Sequence, residues 1–406
     1  MSTPAIDDAP VTRYRELLEI PGLRALAANV TLSRLALDGM LTVTLVLTCL
    51  RLYNSAALGG LMVFLETVPG LVATPLAGAL LDRRGRLAFL RLDALVATLV
   101  LGIDAAAVLA GALAPWLLAV SAVVLSLTRP LAQAGARAQV PAMTPMPLWD
   151  RVNAVDTGIF TFINVGGPVI ATLVFAFSGP GPVMALEAVL LLISALALRW
   201  VPEVFEADPQ AGSLRTEAWR GIVYFGRNRS LVLLGVCSSL LNFAPGTVNV
   251  VLPTVVTTQL HDPAWVVGLL FAVSQGAATV GLVIVGRRGT VGIEARVLAV
   301  SALLIASGMA VIALPQSLVS LALGMLLFGA GEGPFWVALY SLRQRRTDPR
   351  FFARAFAMSY SANVAGQPVA SVVAGGLLGV HALVPAMLIA IGGPALCALI
   401  TRRLPA

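Results

Sequence analysis

Long runs of apolar residues, separated by short polar or glycine-containing turns, make up almost the whole chain. Twelve runs have the roughly 20 apolar residues that a helix needs to cross a bilayer core about 30 Å thick. They cover residues 26–50, 58–80, 88–111, 115–136, 152–177, 183–201, 231–256, 264–285, 294–314, 317–341, 352–379 and 383–401. Alternating strands of about ten residues, which indicate an outer-membrane barrel, are absent from the sequence. The pattern predicts an all-α integral membrane protein with 12 transmembrane helices.

The composition agrees with this prediction, because 58% of the residues are hydrophobic and only 12% are charged. The mean hydropathy of +0.90 lies outside the range of soluble proteins, so the lipid bilayer is the expected surroundings. Cys49, Cys237 and Cys397 fall inside or at the end of apolar runs without paired spacing. They are expected to be small core residues, and neither a disulfide framework nor a zinc site is predicted. No cleavable signal peptide is predicted before the first run.

The basic residues predict the orientation of the chain in the membrane. All 27 are arginines, and most of them lie before the first run, after the even-numbered runs 2, 4, 8 and 10, in the central linker and at the end. The loops on the other side hold only Arg51. Since positive loops remain in the cytoplasm, both termini are expected there, in a multi-pass protein of the inner (cytoplasmic) cell membrane. The net charge of +7 then reflects topology, and no nucleic-acid partner is predicted.

Two repeated stretches indicate an internal duplication. The turn GALLDRRGR at 78–86 returns as GRRG at 286–289, and VGGPVIA at 165–171 returns as AGQPVAS at 365–371. We therefore predict a six-helix half at 1–201, a cytoplasmic linker at 202–230 and a second six-helix half at 231–406. Duplicated transporters bind substrate near the midplane between such halves. Helical spacing of Leu214, Ala218, Ile222 and Phe225 predicts an amphipathic surface helix in the linker, either a tether, which we favour, or a lipid-sensing strip.

The chain resembles the major facilitator superfamily over essentially its whole length, because it has twelve predicted spans and this charged turn after the second span. Gly78, Asp82, Arg83, Gly85 and Arg86 satisfy the family's loop motif, whose last basic position holds Leu87. The resemblance implies a conformational latch in which Asp82 caps the start of the eleventh span and pairs with Arg137 of the fourth. A plain stop-transfer arginine cluster is the alternative.

Within that superfamily, the chain looks like the drug/proton antiporter group of macrolide efflux pumps and actinobacterial multidrug exporters. LSRLALDGM at 32–40, VPAMTPMPLWDRVNAVD at 140–156 and RTDPRFFARAFAMS at 346–359 carry this likeness. The antiport signature of the fifth span is present in part, as Gly158, Gly166, Gly167 and Pro168, with Ala171 and Thr172 where paired glycines are expected. Either these residues take part in antiport, or they serve close packing and kinking of the helix.

Ionised side chains within the runs are few, and insertion of one near the bilayer centre costs roughly 2.5 to 3.5 kcal/mol. Asp38, Glu66 and Glu332 are therefore candidate proton carriers, with Arg34 or Arg129 as the cationic partner. Alternatively, Arg34 and Asp38, four residues apart, only neutralise each other. Asp93 and Asp156 lie near span ends, where snorkelling into water is expected. Three glycines and Pro334 around Glu332, in GAGEGPFW at 329–336, can break the tenth helix and expose its backbone. The alternative is a kinked packing helix in which the glutamate forms local hydrogen bonds.

Aromatic and amide side chains within the spans are the candidates for a substrate cavity, although most of them also suit packing. These residues are Phe64, Asn164, Asn242, Phe243, Asn249, Gln275, Trp336 and Asn363. Because no fixed-charge cluster accompanies them, an amphipathic or weakly cationic organic molecule is the expected cargo.

These observations predict a monomeric secondary active transporter that exports a small molecule in exchange for protons by alternating access. An uptake symporter or lipid flippase of the same fold is the alternative, and a transport-dead membrane sensor is a remote one. No GxxxxGK[ST] loop is present for ATP binding, so no cofactor is expected. The only histidines, His261 and His381, fall in predicted outer loops, which argues against a metal site and an enzyme.

Overall fold

A computed structural model describes residues 14–84, 86–145, 148–203, 223–314, 317–347 and 362–401, and these residues form helices joined by short turns. A short helix, Tyr14–Glu19, precedes the long ones. The long helices are α1 Leu23–Tyr53, α2 Ala56–Arg84, α3 Leu87–Leu109, α4 Pro115–Met143, α5 Trp149–Ser178, α6 Pro180–Ala197, α7 Arg229–Gln259, α8 Trp265–Arg288, α9 Glu294–Ile312, α10 Leu318–Arg346, α11 Gly366–Gly379 and α12 Leu383–Thr401.

Eleven helices in the described ranges are long and apolar enough to cross a membrane. The predicted spans match these helices in order. The exception is α11, whose described part begins at Gly366, because residues 348–361 lie outside the described chain. Most of the predicted linker, residues 204–222, and three of the four residues of its amphipathic face lie outside it as well.

Local sequence explains where several helices end. Asn54 ends α1 in the left-handed conformation, with φ of 47°, which asparagine adopts more readily than most residues. Gly179, with φ of 80°, separates α5 from α6, and Pro180 then opens α6 at a position where its missing N–H has no helical partner. Ser317 and Ser320 form a capping box at the start of α10.

The turns gather at two ends of the bundle, which we call the α1–α2 end and the α2–α3 end. At the α1–α2 end, Tyr53 donates a hydrogen bond to the Leu113 carbonyl between α3 and α4, at 2.8 Å. At the α2–α3 end, Arg91 donates to the Leu198 carbonyl at 2.9 Å, and Gln139 donates to the Pro202 carbonyl at 3.0 Å. Consecutive long helices therefore alternate in direction.

Two helices contain π-helical segments, Leu35–Met40 in α1 and Val255–Gln259 in α7. Such segments occur often at functional sites, and the first contains Asp38. The predicted break in the tenth helix is wrong, because α10 runs without interruption from Leu318 to Arg346. Its glycines instead allow close packing, since a Cβ at Gly331 would lie 2.9 Å from the Ile305 side chain of α9.

We call α1–α6 the first half and α7–α12 the second half. One apolar core lies within the first half, whereas the core of the second half continues into α1 and α2 through Val46, Leu50, Ala56 and Val63. Among the described residues, the halves come into close backbone contact near the α1–α2 end, and small residues allow this approach. A Cβ at Gly375 of α11 would lie 2.7 Å from the Ala56 carbonyl and 3.1 Å from Gly60 Cα, both on α2. A Cβ at Gly268 of α8 would lie 2.9 Å from Val169 Cα of α5.

Candidate functional site

Asp38, Asp93 and Arg129 form a polar cluster in the middle of the first half. Arg129 of α4 contacts Asp38 of α1, with Nη2 2.7 Å and Nε 3.0 Å from the same carboxylate oxygen, Oδ1. Its Nη1 lies 3.8 Å from Asp93 Oδ2 of α3. The Asp38 side chain is 31% exposed, whereas Asp93 is 1% exposed. One cation therefore faces two carboxylates, and only the Asp38 side of the cluster has substantial contact with open space.

Arg34 and Asp38 do not pair with each other as the four-residue spacing allowed. Arg34 Nη1 lies 2.7 Å from Asp156 Oδ1 of α5, and Asp38 pairs with Arg129. The Asp156 side chain is 51% exposed, as expected from its position near the end of the fifth span. The same expectation was wrong for Asp93, which is buried against Arg129 because α3 places it inside the bundle.

Glu66 of α2 lies beside this cluster. Both of its carboxylate oxygens are within reach of the Thr42 hydroxyl, at 3.1 and 3.2 Å, and it interacts electrostatically with Asp38 and Arg129. Thr42 is the second residue after the π-helical segment of α1. The structure thus brings three of the five predicted charged candidates together, namely Asp38, Glu66 and Arg129.

The fifth-span glycines differ in their surroundings. Gly167 packs backbone to backbone against Gly39 of α1, and a Cβ added at Gly39 would lie 3.0 Å from Gly167 Cα. The Pro168 carbonyl accepts a hydrogen bond from Thr172 at 2.7 Å. Gly166 lies near the Phe162 ring of its own helix, and the space around Gly158 is open. Gly167 therefore holds α5 against the segment that carries Asp38, which agrees with the packing interpretation at this position.

In the second half, Glu332 lies among polar and aromatic groups. Gln275 Nε2 of α8 lies 3.4 Å from Glu332 Oε2 of α10. One turn along α10, the Trp336 and Tyr340 rings stack with centroids 5.7 Å apart. Glu332, Gln275 and Trp336 are all partly exposed. We call Gln275, Glu332, Trp336 and Tyr340 the second-half patch.

Two of the predicted cavity residues, Asn242 and Asn363, are buried in this structure. Asn363 Oδ1 accepts a hydrogen bond from Arg343 at 3.0 Å and another from Ser238. Asn242 donates to the Ser238 carbonyl at 2.9 Å, at the junction between the two α-helical parts of α7. Both side chains are buried in this structure, so their part in a substrate cavity stays a prediction. Phe64, Asn164, Phe243 and Asn249 remain partly exposed candidates.

The predicted latch lies largely beyond what the structure describes. Gly85 is outside the described residues, as are the side chains of Asp82, Arg83 and Arg137; Gly78 belongs to α2. Arg86 is described, and its backbone N–H donates to Glu203 Oε1 at 2.9 Å. The carboxylate of Glu203 therefore binds the start of α3, where the positive end of the helix dipole favours an anion. The role of Asp82 stays a prediction.

A cavity of about 820 Å³ lies at the α1–α2 end, between the two halves. It is lined by the ends of α1, α5 and α7 and by the turn between α7 and α8, including Arg51, Asn54, His261 and Asp262. The charged cluster around Asp38 is separate from it. Among the described residues, no group of three or more His, Cys, Asp or Glu side chains is arranged to hold a metal ion.

Three buried acidic residues of the first half were not among the predicted site residues. Glu187 of α6 is fully buried and accepts a hydrogen bond from Thr44 at 2.7 Å. Asp104 of α3 is fully buried and accepts one from Ser121 at 2.9 Å. Asp93 completes the set. Depth along a run was visible in the sequence, but the face of the helix that points inward was not, because these helices are apolar on all sides.

Comparison with known proteins agrees with this architecture. The family description that matches residues 28–290 is that of the Major Facilitator Superfamily. A protein of Sinorhizobium fredii, described as the uncharacterized MFS-type transporter y4rN, is 35% identical over 364 residues, which cover 89% of this chain and 90% of that protein.

Two solved structures show the same fold at low identity. The nucleoside transporter NupG has a TM-score of 0.75 at 16% identity, over 94% of this chain and 98% of NupG. A bacterial homologue of the iron transporter ferroportin, in an inward-facing state, has a TM-score of 0.70 at 14% identity, over 97% and 99% of the two chains. The match over most of the sequence and the shared helical architecture lead to one conclusion: the chain belongs to the major facilitator superfamily and is a secondary transporter, not an enzyme.

Proposed function

We propose that the protein exports an amphipathic or weakly cationic organic molecule in exchange for protons. The cluster of Asp38, Asp93 and Arg129 is the observation that carries this proposal. With both carboxylates ionised, the cluster has one negative charge in excess. A proton taken up by Asp38 from water neutralises the cluster and weakens its bond to Arg129, so proton binding changes the contact between α1 and α4.

The direction of proton flow follows from the proposed orientation. Among the described residues, Arg86, Arg91, Arg287 and Arg288 lie at or near the α2–α3 end, whereas Arg51 lies at the α1–α2 end. We therefore propose that the α2–α3 end and both termini face the cytoplasm. Inward movement of one proton at about 100 mV then supplies about 2.3 kcal/mol for export. Access to the two ends would alternate as the halves rock against each other.

A vesicle assay tests the exchange and its direction. Everted membrane vesicles, with and without the protein, are given an acidic interior and a panel of fluorescent amphipathic dyes that are cationic, neutral or anionic. Proton exchange predicts that a dye accumulates inside only with the protein and leaves when a protonophore is added. Accumulation that requires an alkaline interior would instead indicate an uptake symporter. The proposal would be contradicted if no dye of the panel moved in a protein-dependent way under either pH gradient.

The second-half patch supports the cationic character of the cargo. A carboxylate one turn from two stacked aromatic rings can attract a cation and hold its apolar part. Glu332→Gln is therefore expected to weaken the apparent affinity for a cationic dye roughly tenfold, the effect of about 1.4 kcal/mol of lost attraction. The concentration dependence of accumulation in the same vesicles measures it.

A neutral dye serves as the control for Glu332, since it loses no charge attraction and should keep its apparent affinity. Equal weakening for both dyes would mean that the variant disturbs packing instead of charge recognition. An unchanged affinity for the cationic dye would remove Glu332 from the binding site.

A further inference from the structure

Glu187 carries a buried carboxylate that is not part of the cluster of Asp38, Asp93 and Arg129. It lies on α6 with no exposed surface. Its Oε1 is 2.7 Å from the Thr44 hydroxyl of α1. Its Oε2 has no hydrogen-bond partner among the residues that the structure describes. A full negative charge with a single hydroxyl donor is costly at this depth, whereas a neutral carboxylic acid is accommodated with one hydrogen bond.

The Thr44 hydroxyl connects Glu187 to the backbone of α1. Besides Glu187, it lies 3.1 Å from the carbonyl oxygen of Met40, the last residue of the π-helical segment. A hydroxyl has one hydrogen to donate, so it cannot donate to both oxygens at once. If Glu187 is ionised, Thr44 donates to the carboxylate. If Glu187 is protonated, the acid donates to Thr44, and Thr44 donates to the Met40 carbonyl.

We propose that Glu187 is a second proton-binding group of this transporter, and that the Thr44 hydroxyl relays its protonation state to the π-helical segment that carries Asp38. The proposal deepens the proposed function and rests on it for its role in transport. In the binding step the Glu187 carboxylate takes one proton from water and becomes a carboxylic acid. Thr44 keeps its own hydrogen and changes only its acceptor.

The groups around Glu187 favour this assignment. Glu66 on α2 and Asp104 on α3 are the acidic groups that act on it electrostatically, and both repel a charge at its position. Helix α1 contributes Thr44, and the buried thiol of Cys49 belongs to the same core. Helix α5 packs on α6 through apolar side chains such as Phe175. No cation is among these neighbours, so a proton is the only source of neutralisation that the described surroundings provide.

Infrared spectroscopy tests proton binding directly. Purified protein in lipid nanodiscs, without cargo or gradient, is titrated over the pH range in which it stays folded. A protonated carboxylic acid has a carbonyl stretch that an ionised carboxylate lacks. We expect one such band in the wild type to disappear in Glu187→Gln and to shift in Glu187→Asp. The Asp variant keeps the test informative if the Gln variant does not fold.

Thr44 variants test the relay. Thr44→Val removes the hydroxyl, so the Glu187 band is expected to shift, and Thr44→Ser should restore it. Thr48→Val is the matched control, because Thr48 is buried one turn further along α1 and its hydroxyl has no hydrogen-bond partner in the described residues. This control should leave the band unchanged.

Each outcome decides the proposal. Absence of any carboxylic acid band that depends on Glu187 would overturn proton binding, and a band unaffected by Thr44→Val would overturn the relay. Neither measurement requires cargo, so a wild-type protein that moves no dye counts against the proposed function alone. If both proposals hold, Glu187→Gln also loses most gradient-driven dye accumulation, and Thr48→Val retains it.

Discussion

Replacement of Asp38 by Asn is expected to reduce pH-gradient-driven dye accumulation roughly 5- to 150-fold, the loss expected when a coupling free energy of about 1 to 3 kcal/mol disappears. The amide cannot bind and release a proton, so the bond between α1 and Arg129 no longer depends on the proton gradient. Because an amide oxygen still accepts a hydrogen bond from Arg129, the variant should insert and fold. Accumulation is measured in everted vesicles at matched protein amounts.

The pair of Arg34 and Asp156 provides the matched control for Asp38→Asn. It also joins α1 to another helix at 2.7 Å, but its carboxylate is exposed to a greater extent than that of Asp38. Exposed ion pairs contribute little, so Asp156→Asn should change accumulation by less than roughly twofold. Normal gradient-driven accumulation in Asp38→Asn would show that the proton binds elsewhere. An equal loss in Asp156→Asn would indicate that both pairs act only on the structure of α1.

The helices could be predicted well from the sequence, because each span is determined by residues that are close together in the chain. A run of about 20 apolar residues is sufficient to identify a span, and turn residues such as Gly179 with Pro180 mark its end. The same local signals identified Asp38 and Arg129 as charges at membrane depth. Their pairing was left open, because it depends on how α1 and α4 face each other.

Side-chain direction explains the sequence-based errors. The depth of Asp93 in its run suggested a snorkelling residue, whereas the packing of α3 turns it toward Arg129. The glycines around Glu332 suggested a broken helix, but in the folded chain they lie where α8 and α9 pass closest to α10. Glycine has both uses in membrane helices, and only the position of the neighbouring helix distinguishes them.

Replacement of Gly375 by Val is expected to separate the halves at the α1–α2 end and to abolish most transport. Any side chain at this position meets α2, since its Cβ would lie 2.7 Å from the Ala56 carbonyl and 3.2 Å from the Gly60 nitrogen. Overpacking costs about 1 to 3 kcal/mol. Because the contact joins the halves, this free energy disfavours the conformation that is closed at the α1–α2 end. It shifts the equilibrium between this closed conformation and the one open at the same end roughly 5- to 150-fold toward the open one.

Gly376→Val is the matched control, because it places the same side chain on the next residue of α11, where nothing lies within 4 Å of an added Cβ. Spin labels at Asn54 and His261, which line the cavity at the α1–α2 end in opposite halves, report the separation. Gly375→Val should lengthen the distance between the labels and lower dye accumulation together, and Gly376→Val should change neither. A longer distance with normal accumulation would mean that closure of this end does not limit transport. An unchanged distance with lost accumulation would mean that Gly375 acts inside α11 and not through its contact with α2.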